Sequence, residues 1–338
     1  MTARDETTVQ AAGIDVRVTS PGKELFPAHD GRAAITKLDL IEYYVTVAGA
    51  VLLGLNERPT VLKRWNKGIT GDFFFNKRVQ SPPPWLQTAT VQFPSGRSAT
   101  ELVPVDAAHL VWAANLNNID WNPWPVRRDD LEHPDELRVD LDPSEGVPWE
   151  TVREVALTVK DVLEEHGMRA FPKTSGSRGI HIYVRVERRW DFTEMRRAAL
   201  ALAREVERRM VGKATSKWWK EERVGVFLDY NQNARDRTVA SAYSVRPVPG
   251  AHVSCGLTWG ELPDCEMADF RLDTVPARLA SSGDPLAEID DVAHDLRPLL
   301  DLAQRDEDQG LGDAPWPPNF RKQVGEPKRV QPSRAKQE

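Results

Sequence analysis

Apolar residues at Val152, Val155, Ala156, Val159, Val162 and Leu163 recur at the three-and-four spacing of a helix face, so 149–166 reads as an amphipathic helix closed by Gly167. The same periodicity predicts a helix over 192–211. Polar caps announce two more, Thr36 before a run to about Leu53 and Asp106 before 107–117. Between the helices, short apolar and β-branched runs predict strands at 60–65, 89–93, 137–141, 169–171, 180–186, 224–228 and 238–245. Strands and helices alternate through the C-terminal half, which implies an α+β architecture with helices packed on a mixed or antiparallel sheet. Residues 1–15 read as a flexible N-terminus. Residues 313–338 read as a basic flexible tail, on account of Pro315, Pro317, Pro318, Pro327 and Pro332. That leaves 16–312 as one domain of two lobes, about 16–135 and 136–312.

Composition narrows the class. At 338 residues, 40% hydrophobic and 28% charged, the chain has material for a sizeable core. No apolar run approaches the roughly 18 residues of a membrane span, and the N-terminus lacks a signal-peptide pattern. The expectation is a cytoplasmic protein with no membrane partner. Its two cysteines, Cys255 and Cys265, suit neither a disulfide framework nor a zinc finger. The net charge of −6 argues against indiscriminate nucleic-acid binding, yet Lys23, Lys37, Lys63, Arg64, Lys67, Lys77 and Arg78 make the N-terminal part locally basic.

Three stretches carry candidate chemistry. In Val139-Asp140-Leu141-Asp142 a strand would point both acids to one face and both apolar side chains to the other. Two carboxylates side by side repel, and a divalent metal is the usual answer. In Ser175-Gly176-Ser177-Arg178-Gly179-Ile180-His181, small residues allow backbone N–H groups to approach an anion, with Arg178 adding charge. This is not a P-loop, because the glycine spacing differs and a strand follows. Val226-Phe227-Leu228-Asp229 ends a third apolar run in an acid, with Gln232, Asn233, Arg235 and Arg246 downstream. Taken singly each has a plainer explanation: a turn for the acid pair, a tight hairpin for the loop, a core position for His181 and for Phe73 to Phe75, solvated surface for Lys23 and Lys37, and a surface ion pair for Arg246.

In combination and order these motifs resemble the archaeo-eukaryotic primase superfamily, and more narrowly the polymerase domain of bacterial ligase D and its stand-alone actinobacterial primase-polymerase relatives. The resemblance runs from about Ser20 to Ala280. It includes Ser20-Pro21-Gly22-Lys23, Leu62-Lys63-Arg64-Trp65, Phe74-Phe75-Asn76-Lys77 and Tyr243-Ser244-Val245-Arg246. It implies a primase-polymerase fold, with two packed mixed or antiparallel sheets flanked by helices and an RRM-like catalytic part. It also implies that Asp140, Asp142 and Asp229 are the catalytic carboxylates for two divalent ions, manganese or magnesium. Lys63, Phe74, Phe75, Ser175, Arg178, His181, Gln232 and Arg246 would bind the incoming NTP or dNTP, and Ser20, Lys23 and Lys37 the DNA 5′-phosphate across a gap.

The expected activity is that of a template-dependent nucleotidyltransferase that extends primers and fills short gaps in DNA repair, with NTPs preferred. Its expected partners are DNA with a 5′-phosphorylated gap or end, a separate DNA ligase and an end-binding protein such as Ku. One departure bears on sugar choice: Asp120 stands where ligase D polymerase domains commonly carry a histidine. A non-catalytic end-binding module, a primer-synthesising primase, and a metal-dependent nuclease or glycosyltransferase are the competing classes. The three acids speak against the first, and the lysines taken together with the Ser-Gly-Ser-Arg-Gly-Ile-His loop against the last. The whole reading requires Asp140, Asp142 and Asp229 to converge within metal-binding reach.

Overall fold

The computed structural model describes residues 5–322, 324, 326 and 327. The chain begins with an antiparallel hairpin of β1 (Glu6–Ala11) and β2 (Ile14–Thr19), joined at Ala12 and Gly13, both at positive φ. Such turns match the twist of the strands they join. The expected flexible N-terminus is therefore ordered from Glu6, because Val16 and Val18 alternate into the core; residues 1–4 lie outside the described set.

Next come β3 (Glu24–Phe26), β4 (Ile35–Thr36), α1 (Lys37–Thr46) and α2 (Ala48–Leu55). Thr36 and Asp39 form a reciprocal capping box, as the cap signal predicts. The single helix expected there instead breaks at Val47, and the two halves diverge by 81°. Among the described residues no single helix is long and apolar enough to cross a membrane. The first large sheet joins β5 (Thr60–Arg64), β6 (Phe74–Asn76), β7 (Thr88–Gln92), β8 (Ser98–Leu102) and, after α3 (Ala107–Asn115), β9 (Asn118–Pro123). In it β5 lies between β6 and β9.

The second sheet is made by β10 (Glu136–Pro143), β11 (Phe171–Thr174), β12 (Ile180–Arg185), β13 (Ala214–Thr215) and β14 (Val226–Leu228), in the order β11-β12-β10-β14-β13. All its pairings are antiparallel except that of β13 with β14. Helices α4 (Trp149–Glu165) and α5 (Phe192–Arg209) share one core with this sheet. Of the C-terminal helices α6 (Val275–Ser282) and α7 (Arg297–Asp308), the latter joins the same core. Strand alternation sends Leu137, Val139, Leu141, Ile180 and Ile182 into that core, while Phe171 and Tyr183 join the core of the first sheet. The charged residues of β10 and β12 consequently face the first sheet.

Two further expectations change. Residues 238–245 form no strand: Tyr243 sits at φ 60°, and only Val245 bridges, to Val253. Residues from Ala242 to Ile289 also return to the first core, so the second lobe is not continuous in sequence.

A buried ion cluster joins the sheets at the root of β10. Arg58 donates to Asp135 at 2.5 and 3.0 Å, Arg138 Nε to Glu136 at 2.7 Å, and Arg185 to Glu136. Burial alone would raise both acids, but Arg58 and Arg185 outweigh it for Asp135, and Arg185, Arg138 and Arg58 for Glu136, so both are held below the usual carboxylate range. Removing one member leaves charge buried and uncompensated. Arg58→Met is expected to cost roughly 3 kcal/mol in denaturant unfolding; a cost indistinguishable from zero would contradict this account of the cluster.

Candidate active site

Strand register assembles the site. Asp140 pairs with His181 on β12, and His181 with Lys173 on β11. On the other flank the Asp229 amide donates to the Asp140 carbonyl at 2.9 Å, one step beyond the Leu141–Leu228 pair. Lys173, His181, Asp140 and Asp229 thus form a row across four strands, with Asp142 two residues further along the same face of β10.

The three acids do not make a ready cage. Among the described residues no three His, Cys, Asp or Glu side chains are grouped so as to hold a metal ion. Each carboxylate turns to its own partner: Asp140 to His181 Nε2 at 3.3 Å, Asp142 toward Arg178 at 3.9 Å, and Asp229 to the Asn231 amide at 3.1 Å and Gln232 Nε2 at 3.0 Å. They remain electrostatically linked through Asp140. Burial and then the Asp140 charge push Asp229 up to about 7; burial pushes Asp140 up to about 6 against Lys173 and Arg246; and Asp142 is raised by burial and by Asp140. Acids raised by burial, two of them also by the Asp140 charge, have the donor chemistry of a divalent-cation site. Register brings the three acids to one face, but the convergence within metal-binding reach expected from the sequence is not seen among the described residues.

His181 is buried between two partners. Lys173 Nζ lies 2.7 Å from Nδ1, and burial, then Lys173 and Arg246, hold the ring well below its ordinary pKa. Nδ1 accepts from Lys173, so the neutral ring carries its proton on Nε2, which faces an Asp140 carboxylate oxygen at 3.3 Å. Lys173 is fully buried, and also donates to the Ala240 carbonyl and Ser254 Oγ. Sequence reasoning passed over it. Its place two residues before Ser175 was the available signal, but burial of a lysine has no signature in a sequence.

The 175–179 loop departs from the expected cradle of free amides. Ser175 Oγ accepts from the Ser177 and Gly179 amides at 3.1 and 3.0 Å, and the Ser175 amide donates to the Gly179 carbonyl. These donors hold the loop itself, so Ser175 offers its hydroxyl hydrogen outward. Both glycines are required: Gly176 has φ 69° and a Cβ there would meet Arg246 Cγ, while a Cβ on Gly179 would collide with the Leu141 carbonyl. Arg178 stands exposed.

On the facing sheet Lys63 Nζ lies 3.1 Å, and Arg246 Nη2 3.7 Å, from Oδ2 of fully buried Asp120. Asp120 is thus the counterion of both cations. Phe74 and Phe75 are exposed, not core, with Arg64 over the first ring at 5.0 Å and Lys63 over the second at 5.4 Å. Gln232 and Lys63 line one groove with Phe75. Asn233 and Arg235 leave the site: Asn233 bonds to the Arg138 backbone, and Arg235 pairs with Glu132.

A cation cluster lies on the N-terminal side. The Ser20–Lys23 turn is tied to the start of α1 by the Lys37 amide on the Lys23 carbonyl at 2.8 Å. Lys37 Nζ is buried on the carbonyls of Thr19 and Asn115, and Lys23 Nζ reaches the Asn66 carbonyl. Burial, then Lys23 and Arg64, push Lys37 down to about 8. Mutual repulsion among three cations suits an anion between them. Arg64 is the member that sequence reasoning did not assign, although it adjoins Lys63.

Comparison with known proteins shows the family. Residues 36–286 match the family described as LigD, primase-polymerase domain. The Multifunctional non-homologous end joining DNA repair protein LigD of Mycobacterium tuberculosis is 33% identical over 293 residues, which is 81% of this chain and 37% of that protein. LigD of Pseudomonas aeruginosa is 32% identical over 285 residues, 82% of this chain and 33% of that one. The chain therefore spans well under half the length of these relatives. A solved polymerase domain from Mycobacterium tuberculosis ligase D in complex with DNA superposes with a TM-score of 0.76 at 33% identity, covering 82% of this chain and 99% of that one.

The raised carboxylates predict an unusual pH profile. A carboxylate whose folded pKa exceeds its unfolded value near 4 favours folding at low pH, and that contribution is lost as pH rises through the folded pKa. In chelator, Asp140 and Asp229, titrating near 6 and 7, should lower the melting temperature between pH 5 and pH 8, against an opposing rise from His181, whose ring is held well below its ordinary pKa. Asp140→Asn with Asp229→Asn should flatten the slope, and added manganese should restore more stability at pH 8 than at pH 5. Identical slopes in wild type and double variant would contradict the assignment.

Proposed function

The chain belongs to the LigD primase-polymerase domain family, and on that premise we propose that it is a template-dependent nucleotidyltransferase that extends primers and fills short gaps in DNA. The carrying observation is the row His181, Asp140, Asp229 across adjacent strands, with Asp142 beside it. A purely end-binding module would use the Lys23, Lys37 and Arg64 cluster but has no need of that row. The setting we propose is repair by end joining or excision, in the bacterial cytoplasm on the nucleoid, with a separate ligase to seal the product and an end-binding protein such as Ku.

Asp140, Asp142 and Asp229 would hold two divalent ions, and oxygen donors suit magnesium and manganese alike. When bound, such ions activate a primer 3′-hydroxyl and neutralise the attacking and leaving oxygens of an in-line displacement of pyrophosphate. The protein's own side chains do the positioning. The Ser175 hydroxyl and Arg178 face the triphosphate from the loop; Lys63 and Arg246, held by Asp120, face it from the opposite sheet. His181 is kept uncharged and oriented by Lys173, so it turns Nε2 toward Asp140 without adding charge beside it. Phe74 and Phe75 offer exposed ring faces on which any base can stack. The Lys23, Lys37 and Arg64 cluster, with the Ser20 turn, receives the downstream 5′-phosphate.

Asp140→Ala with Asp142→Ala should abolish nucleotide addition in a primer-extension assay while binding to 5′-phosphorylated gapped DNA persists; full extension by the double variant would sink the site assignment. Sugar choice is read by comparing ATP with dATP at a one-nucleotide gap. ATP is expected to be used better, and a clear preference for dATP would assign Asp120 to a different selectivity from that of the family.

A further inference from the structure

The sequence reads 313–338 as a flexible tail, and 323, 325 and 328–338 lie outside the described residues, yet 313–322 is pinned to the protein at a buried hub. Arg196 on α5 is 1% exposed. It donates Nε to Asn231 Oδ1 at 2.7 Å, Nη1 to Asp313 Oδ1 at 2.7 Å, and Nη2 to the carbonyls of Ala314 and Pro315 at 2.7 and 3.2 Å. Its guanidinium lies 4.1 Å from the centre of the Trp316 ring, which is itself buried. Asn231 Nδ2 returns a bond to the Pro315 carbonyl at 3.1 Å, and Trp316 Nε1 one to Asp313 at 2.8 Å. Asn231 lies two residues beyond Asp229, on the turn that also carries Gln232. The segment is therefore docked on the turn that follows the third carboxylate.

Docking there brings Asn319 to the substrate groove. A cavity of about 400 Å³ is lined by Lys63, Phe75, Gln232, Arg237 and Asn319, and Asn319 also lines the adjoining cavity of about 330 Å³ beside Lys77. Arg237 Nη2 donates to Asn319 Oδ1 at 3.1 Å. That bond uses the acceptor end of the amide and turns the NH₂ end away from Arg237, as a donor for a groove occupant. Residues 313–320 lie beyond the 36–286 that match the family.

We infer that 313–320 is a wall of the nucleotide groove and that the Asn319 amide donates a hydrogen bond to the incoming nucleotide. The inference rests on the polymerase reading. A wall built from the C-terminal segment adds a polar contact opposite Phe75, whose ring face accepts any base, and ties nucleotide binding to the turn that holds Asp229.

Two substitutions separate a contact from a brace. Asn319→Asp keeps the oxygen that accepts from Arg237 but loses the NH₂ donor; Asn319→Ala loses both. The position is exposed, so neither should unfold the chain, and a thermal melt checks this. In gap filling by the full chain, both variants should raise KM for the nucleotide about 3- to 10-fold, the range of one hydrogen bond, with kcat little changed. Trp316→Ala, which frees the whole wall, should raise KM further. An unchanged KM in Asn319→Asp, whatever Asn319→Ala does, would overturn the inference. Affinity for a fluorescent ATP analogue gives the same comparison without turnover: if wild type failed to extend primers yet lost nucleotide affinity on Asn319→Asp, the polymerase reading would fall and the groove wall would stand.

Discussion

The structure depends on how charge is distributed along one strand, β10. At its root, Glu136 and the preceding Asp135 are enclosed by Arg58, Arg138 and Arg185, and this balanced cluster bolts the two sheets together. At its tip, Asp140 and Asp142 face the same interface with cations such as Arg178, Lys173 and Arg246 that do not offset their burial, and Asp229, just past β14, adds a third acid. The balanced end can be buried because every acid has an arginine. The unbalanced end cannot be fully buried, so it lies where the sheets part and solvent or substrate can reach. Fold and site are two ends of the same electrostatic arrangement.

That arrangement also explains the neighbours. A row of charges across a sheet needs intervening groups that orient without adding like charge. A neutral histidine between a buried lysine and a carboxylate does this. Across the cleft, Asp120 stands between Lys63 and Arg246 as their shared counterion, so the two cations do not repel one another unbalanced. Glycine at 176 and 179 lets the loop close on Arg246 and Leu141, and a Cβ at either position would push the loop away from the row.

Much of this was legible along the chain. The alternation Val139-Asp140-Leu141-Asp142 placed both acids on one face, the caps at Thr36 and Asp106 marked real helix starts, and the helical period over 149–166 matches α4 closely. The errors have identifiable causes. The hairpin at Glu6–Thr19 carried alternation and a glycine turn, but its terminal position suggested looseness. Residues 238–245 have strand-like composition, yet Tyr243 at positive φ breaks the path. Proline density over 313–338 suggested a tail, while Arg196, more than a hundred residues away, holds its start at 313–315 down.

Residue order along single strands and loops was enough to specify the chemistry: which acids share a face, which loop pairs a serine with a histidine, and which family those motifs resemble. Such features follow from backbone periodicity, which acts over a few residues and is visible locally. Which strands become neighbours, which lysine is buried and which distant segment closes the groove are set by long-range pairing and packing. Asp229 reaches Asp140 through a backbone bond across 89 positions of sequence, Lys173 is stripped of water by residues from 240 and 254, and Asn319 enters the groove because one arginine's donors find carbonyls there. Contacts of that kind depend on three-dimensional closure, and no local pattern encodes them.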